Sequence, residues 1–430
     1  MSKAPTVRQY SNSCSPEAVL RAAMELLECC RTQQCSLDEY LDSRISDPLM
    51  RRRLSNLAFT FFRRRRAVER ALDRCCSKAP EKKLADLLYA ALTMAAFQQS
   101  LPPESVVNIA VALAKKEFGN FKSRFVNAVL RKALLNVDKT DCDLLPEGLA
   151  GRWKKQFSAG DFARLSALFV QAAPATVRLR DDFLLPAELA DKLTALELDT
   201  PWKFFRTDEI GDLIASEFFR SGAMYIQDPA PAKVCALLEK AITQLPERGS
   251  FIDLCAAPGG KLIMNMELLK RYKKDYRTFA VDRSGKRLDL VRENLQRCQL
   301  ECSVFAADAA TFTPQSNMRF ELVTCDVPCS NSGVFRHRPD ALWRWSQQSM
   351  NDVVQLQKKI LNNAAAMTAA GGLLLYSTCS LETGENSSLI ADFVQRNADF
   401  TVIASELFLP DEYCDGTFAA LLLRQKESER

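Results

Sequence analysis

The chain has 430 residues, 47% of them hydrophobic and 26% charged, and a formal net charge of +5. At roughly 150 residues per domain this means two or three domains of ordinary globular composition, large enough to bury a core without disulfide or metal staples. The mild charge selects no partner by itself, the apolar stretches Leu87–Phe97 and Gly371–Tyr376 are too short to span a bilayer, and the one histidine, His337, excludes most histidine-based metal sites and any Ser-His-Asp triad.

The N-terminal third reads as helix. Ser15-Pro16-Glu17 is a cap with proline at the first helical position, and Leu20, Met24 and Leu27 follow at helical spacing. Leu54, Leu57, Ala58, Phe61 and Phe62 make a second apolar stripe, and Leu84–Phe97 is apolar almost all round, as a buried helix would be. After the break at Pro102-Pro103, the patterns of Val106–Lys116 and Phe121–Leu135 predict two more helices. The stretch Arg44–Arg74 carries ten arginines against three acids, with Arg52, Arg53, Arg63 and Arg64 in its two runs. Such a stretch is either a solvated helix face or a nucleic-acid surface.

Residues 137–150 read as a linker, and 151–225 mix helix and strand signals, with Thr176–Arg180 alternating like a strand. From about residue 226 the pattern becomes α/β. Phe251–Leu254, Thr278–Val281, Ser303–Ala306, Glu321–Cys325 and Gly372–Ser377 are short apolar strands separated by helical segments, which predicts a doubly wound sheet. The chemistry-bearing residues all follow the carboxyl ends of these strands, where open α/β sheets bind ligands. The domain boundaries expected from this pattern are 1–140, helical; 141–225, a mixed linking segment; and 226–430, catalytic.

Two constellations lie there. The turn Cys255-Ala256-Ala257-Pro258-Gly259-Gly260-Lys261 opens a helix without the G-x-G-x-x-G dinucleotide fingerprint, so a nucleoside ligand lacking a pyrophosphate suits it better, such as S-adenosylmethionine. Asp282 and Asp308 end the next two strands, where an acid can accept from ribose hydroxyls and from an adenine amino group, or can serve only as a turn or cap residue. The second constellation is a pair of strand-end cysteines, Cys329 in Asp326-Val327-Pro328-Cys329-Ser330 and Cys379 in Ser377-Thr378-Cys379-Ser380. Carbon 5 of cytosine is too weak a nucleophile to take a methyl group. A thiolate added at carbon 6 makes it enamine-like, and an acid group near N3 that stabilises the developing charge assists. One thiol, one acid and a second thiol for release are equipment for that reaction, and the residues alone do not say which cysteine attacks.

These stretches resemble the motifs of the RsmB/NSUN family of RNA 5-methylcytosine methyltransferases. Val107–Val111, Phe125–Arg131, Tyr225–Asp228 and Asp415–Phe418 extend the resemblance toward its bacterial RsmB branch, which carries a NusB-like helical domain before a Rossmann-like methyltransferase domain. The resemblance implies Cys379 as nucleophile, Cys329 as the thiol that assists product release and Asp326 as the acid at the cytosine ring. It also implies cofactor contacts from Cys255 through Lys261, Asp282, Asp308 and Asp326, with Arg287 supporting. Small-subunit ribosomal RNA is the implied substrate, and the chain is expected to be a cytoplasmic, metal-free monomer with reduced thiols. The chain departs from the family's usual D-A-P-C-S-G-T-G at Asn331, where a glycine is lost from a tight loop and asparagine is the residue that best tolerates the left-handed region, and it has Leu262 where threonine is usual. Arg336, His337, Arg338 and Trp343 interleave cations and aromatics just after Cys329 and are candidate RNA contacts, although the tryptophan also suits helix packing. Competing readings are a tRNA or other RNA cytosine methyltransferase, a non-catalytic RNA-binding or ribosome-assembly factor and a nicotinamide-dependent oxidoreductase. Retention of Asp326, Cys379 and the Gly259-Gly260 turn opposes the second of these, and the missing fingerprint opposes the third.

Overall fold

A computed structural model describes residues 14–32, 34–140, 145–314 and 318–426, so positions 141–144 of the expected linker lie outside the described residues. The chain divides into two compact units, one running to Ala172 and taking in Phe335–Arg344, the other formed by Ala173–Val334 and Trp345–Arg430.

The first unit is helical: α1 (Pro16–Arg31), α2 (Leu37–Arg44), α3 (Pro48–Asp73), α4 (Lys82–Phe97), α5 (Pro103–Asn136), α6 (Glu147–Gln156) and α7 (Ala159–Phe169). Local chemistry sets their starts. Ser15 accepts from the Ala18 amide ahead of Pro16, Ser36 and Glu39 form a capping box on α2, and Asp47 caps α3. The two helices expected across 106–135 are one element kinked at Gly119, whose φ of +86° a side chain would disfavour. The near-continuous burial of α4, from Leu84 to Ala96, follows from its all-round apolar sequence. Cys29 and Cys35 are joined by a disulfide across the α1–α2 turn, with Cα atoms 5.9 Å apart, which departs from the expectation of reduced thiols.

The expected linker is shorter than its composition suggested, because α5 runs to Asn136 and α6 starts at Glu147. The helical unit also extends past residue 140. Trp153 of α6 is fully buried, stacks on Phe335 at 6.1 Å between ring centroids and meets the edge of Phe157 at 5.7 Å, while Phe169 of α7 packs edge-on to Phe335 at 5.3 Å.

The second unit holds two sheets. β1 (Ala175–Leu179), β2 (Thr194–Leu196), β3 (Lys203–Thr207) and β4 (Met224–Ile226) form an antiparallel sheet in the order β2-β3-β1-β4. Arg178, fully buried, is ion-paired with Glu267 on the helix Gly260–Arg271, and Glu267 also accepts from the Trp202 indole at 3.1 Å. Arg297 donates to the carbonyls of Phe219 and Met224. These cations tie the small sheet to the larger one's helices, because each buried charge has partners.

The larger sheet comprises β5 (Arg248–Asp253), β6 (Asp275–Asp282), β7 (Ser303–Ala306), β8 (Phe320–Asp326), β9 (Thr368–Thr378), β10 (Phe400–Phe408) and β11 (Thr417–Arg424), in the order β10-β11-β9-β8-β5-β6-β7. Strands β5 to β9 are parallel and β11 runs antiparallel between β9 and β10. Helices cover both faces, so the central strands read as apolar runs. The strand order reverses at β5, between β6 and β8, which opens a crevice at the carboxyl ends of these strands.

Replacing Trp153 by alanine empties the site between α6, α7 and Phe335. The expected cost is about 3–5 kcal/mol, read as a lower urea midpoint by far-ultraviolet circular dichroism. An unchanged midpoint would show that this aromatic cluster does not hold the unit together.

Candidate functional site

The turn after β5 is built for close approach. Its Ala257–Pro258 peptide is cis, and Gly259 sits at φ +106° immediately before the helix that begins at Gly260. That geometry leaves the first amides of the helix at the mouth of the crevice. Asp282, at the end of β6, is buried, accepts from the Ala257 and Ser284 amides at 3.3 and 2.9 Å and lies 3.5 Å from Arg287. Arg287 in turn donates to the Ala257 carbonyl at 2.5 Å. The two residues therefore brace the turn as a unit. Asp308, after β7, is exposed and accepts from the Ala310 amide at 2.9 Å.

Asp253, at the end of β5, was not singled out from the sequence, where it reads as one more strand residue. It is 2% exposed and accepts from the Cys255 amide at 3.1 Å. Burial raises its pKa from 3.8 to about 7, a direction reinforced by Asp326 and opposed by the Cys255 amide and Lys261.

Asp326 ends β8. Its two oxygens accept from Lys261 Nζ at 2.7 Å and from the Ser377 hydroxyl at 2.8 Å. Ser377 stands directly opposite it in the β8–β9 register. Burial by itself would lower the Lys261 pKa, but the Asp326 carboxylate beside it outweighs burial and holds it above the usual lysine range, so the ammonium is retained.

The same register brings the two strand-end cysteines together. Cys329 Sγ and Cys379 Sγ are 3.0 Å apart. The hydrogen bond with Cys379, and then burial, push the Cys329 thiol well above its ordinary range. Asn331 occupies the left-handed region at φ +59°, the conformation that asparagine tolerates best after glycine. Its side-chain amide donates to the Cys329 main-chain carbonyl at 3.2 Å and its side-chain carbonyl accepts from the Cys379 thiol at 3.2 Å, so the departure from the family pattern places a polar side chain against both cysteine loops. Gly333 is required sterically, since a Cβ there would lie 2.3 Å from the Gly416 carbonyl oxygen.

The expected RNA contacts separate into two groups within the helical unit. Arg52 and Arg53 on α3 are exposed, as are His337 and Arg338, the last 3.7 Å from Asp38. Arg64 is half-buried, lies over the Phe97 ring and donates to the Lys139 carbonyl. Arg336, in contrast, is 1% exposed, and its carbonyl accepts from the partly buried Arg63 at 2.5 Å. Trp343 donates to the Phe62 carbonyl at 2.9 Å and carries Arg65 and Arg66 on its ring, at 4.4 and 5.6 Å. Arg63, Arg336 and Trp343 thus hold Phe335–Arg344 against α3 instead of facing outward, because cation–π and carbonyl contacts take up the guanidinium groups that the sequence alone offers to a phosphate.

A family model described as 16S rRNA methyltransferase RsmB/F matches residues 241–422, and one for the NusB family matches 18–134. The Ribosomal RNA small subunit methyltransferase B of Xanthomonas campestris pv. campestris is 30% identical over 407 residues, covering 88% of this chain and 90% of that relative. The chain belongs to the RsmB/F methyltransferase family. As a member it is an S-adenosylmethionine-dependent RNA methyltransferase. The Shewanella oneidensis protein of the same name is 34% identical over 189 residues, 44% of this chain and 42% of its own length. Among solved structures, PH0851 superposes with a TM-score of 0.74 at 18% identity over 96% of this chain and 99% of that one. NSun6 from Pyrococcus horikoshii with SFG gives 0.55 at 16%, over 66% and 99%. Both likenesses bear on the fold. The crevice fits the nucleoside cofactor of this RsmB/F member: its turn needs a left-handed glycine at Gly259, and carboxylates stand at the ends of β6 and β8 and just after β7, at Asp282, Asp326 and Asp308.

Asp253 gives a test with a defined sign. Its folded pKa exceeds its unfolded one, so the folded state binds the extra proton. That contribution is complete below about pH 4 and disappears as pH rises through about 7. The gap corresponds to roughly 4 kcal/mol at most. Asp253→Asn should therefore gain stability relative to wild type between pH 4 and 7 in urea titrations. A constant difference across that range would mean that the buried acid does not titrate there.

Proposed function

We propose that this RsmB/F member methylates carbon 5 of a cytosine in small-subunit ribosomal RNA, with Cys379 as nucleophile. The observation that carries the reading is the 3.0 Å approach of Cys379 to Cys329 beside the Lys261–Asp326 pair, at the carboxyl ends of β8 and β9. Two adjacent thiols serve a reaction that forms a carbon–sulfur bond and must then break it. We assign attack to Cys379 because Ser377-Thr378-Cys379-Ser380 resembles the family stretch that carries the nucleophile.

S-adenosylmethionine, when bound, supplies an electrophilic methyl group; the turn Cys255–Lys261, Asp282 with Arg287, and Asp308 would hold it. Cys379 adds to carbon 6 of the ring. Asp326, ion-paired with Lys261, accepts from the exocyclic amino group, and the Lys261 ammonium stands where charge develops toward N3. This assignment gives the stabilisation of charge near N3 to the lysine, whereas the sequence alone points to an acid. Once carbon 5 carries the methyl group, a base removes the carbon 5 proton, the electron pair left there re-forms the ring double bond and expels the Cys379 thiolate from carbon 6, and Cys329 assists that release. The target base must be unstacked to reach the thiols.

The relatives' names and the NusB-family match favour ribosomal RNA over tRNA. Such a substrate places the activity in the cytoplasm. Arg52, Arg53 and Arg64, together with His337 and Arg338, are the proposed surface for its phosphates. No helix among the described residues is long and apolar enough to cross a membrane.

The test is methyl transfer from labelled S-adenosylmethionine to undermethylated small-subunit RNA. Wild type should yield labelled 5-methylcytosine. Cys379→Ala should lose activity by at least about 1000-fold, and Cys329→Ala should trap a protein–RNA adduct on a denaturing gel. The triple change of Arg52, Arg53 and Arg64 to alanine should raise KM for RNA and flatten its salt dependence, with kcat retained. Tight RNA binding without methyl transfer to any RNA pool would favour the assembly-factor reading.

A further inference from the structure

Beneath the two cysteine loops lies a buried polar group that the reaction scheme does not use. Glu385 follows Cys379 by six residues, is 0% exposed, and sits beside the Asn386 that precedes the helix Ser387–Arg396. One carboxylate oxygen accepts from the Ser330 amide, in the loop of Cys329, at 2.9 Å. The same oxygen accepts from the Gln357 side-chain amide at 2.9 Å, and Gln357 also donates to the Pro328 carbonyl at 2.8 Å. The other oxygen accepts from the Ser380 hydroxyl, in the loop of Cys379, at 2.7 Å. Ser380 Oγ in turn lies 3.1 Å from Ser330 Oγ and 3.2 Å from Ser332 Oγ.

A single carboxylate therefore bridges the residue after Cys329 to the residue after Cys379. Glu385 itself is held from both sides. Its amide donates to the Glu382 carbonyl, and its carbonyl accepts from the buried Tyr376 hydroxyl at 2.8 Å. A carboxylate buried to this degree is costly unless donors surround it, and every donor on it comes from the scaffold of one of the two thiol loops or from Gln357 between them. A core would not keep such a group for stability alone, since an apolar replacement avoids the desolvation cost. We infer that Glu385 is a positioning residue that sets the separation of Cys329 and Cys379, and with it the balance between forming the RNA adduct and releasing it.

The inference rests on the roles proposed above for the two thiols, but its geometric part does not. Its test therefore has an arm without RNA. Diamide oxidises two adjacent thiols to a disulfide and is itself reduced to the hydrazine, so the rate of Cys329–Cys379 coupling, followed by peptide mass spectrometry on natively folded full-length protein, reports their approach. Glu385→Ala should slow that coupling by about 10- to 100-fold, the loss typical of a misplacement near 1 Å. Glu385→Gln should stay within about threefold, because its amide oxygen can accept from Ser330 and Gln357 while its amide nitrogen donates to Ser380. Gln357→Met should slow coupling in the same direction as the alanine variant, and carries the test if Glu385→Ala does not fold.

With RNA, the slowed variants should hold a larger fraction of methylated RNA as covalent adduct than wild type, as Cys329→Ala does. A loss of folded protein would lower adduct and product together and leave that fraction unchanged. Coupling within twofold of wild type in folded Glu385→Ala, or in folded Gln357→Met where that variant carries the test, would overturn the inference, as would equal losses in the alanine and glutamine variants. If Cys329→Ala traps no adduct while coupling still depends on Glu385, the positioning role stands and the assigned thiol roles fail.

Discussion

The catalytic half depends on one pairing, the parallel register of β8 with β9 that sets Asp326 opposite Ser377. A slip by one residue would turn every side chain of a strand to the other face. Here a slip would part Asp326 from Ser377 and carry the Cys329 loop away from the Cys379 loop. Both strands are apolar and buried almost throughout, so the core itself holds the register. The chemistry then follows at fixed offsets, with Cys329 three residues beyond Asp326 and Cys379 two beyond Ser377.

Around that pairing, the buried charged side chains are held by named partners. Lys261 reaches from the helix after β5 to Asp326, linking the turn expected to hold the cofactor to the strand expected to hold the base. Asp282 and Arg287 brace the same turn from β6. Glu385 and Gln357 brace the thiol loops from below. Such preorganised sites are rigid because each charge is fixed by another group, and an isolated charge there would be expensive. The left-handed Asn331 fits this pattern, since its side chain makes contacts with Cys329 and Cys379 that a glycine could not.

Much of this was legible in the sequence where the signal is local. The Ser15-Pro16 cap, the all-apolar α4, the strand-end placement of Asp282, Asp308, Asp326 and both cysteines, and the alternation at Thr176–Arg180 each arise from a few neighbouring residues. What was not legible depends on long-range packing. Residues 137–150 read as a linker and 151–225 as mixed helix and strand signals, yet Trp153 and Phe169 find Phe335, and no periodicity announces that. The arginine runs of α3 resemble a nucleic-acid surface from composition. In the fold, part of each run is occupied by carbonyls, Glu69 and the Trp343 ring. Glu385 and Gln357 are separated by 28 residues and by β9, so no motif spacing joins them, and Asp253 gains its character only through burial.

The identity of the attacking cysteine is where geometry and proposed chemistry meet most directly. In RNA carrying 5-fluorocytidine at its target positions, fluorine replaces the carbon 5 proton and cannot be abstracted, so elimination is blocked and the nucleophile stays attached to carbon 6 after methyl transfer. Protease digestion and mass spectrometry of that complex would locate the bond. Attachment at Cys379 is the expected result; attachment at Cys329, or a complex with no covalent bond after turnover conditions, would contradict the roles assigned to the two thiols.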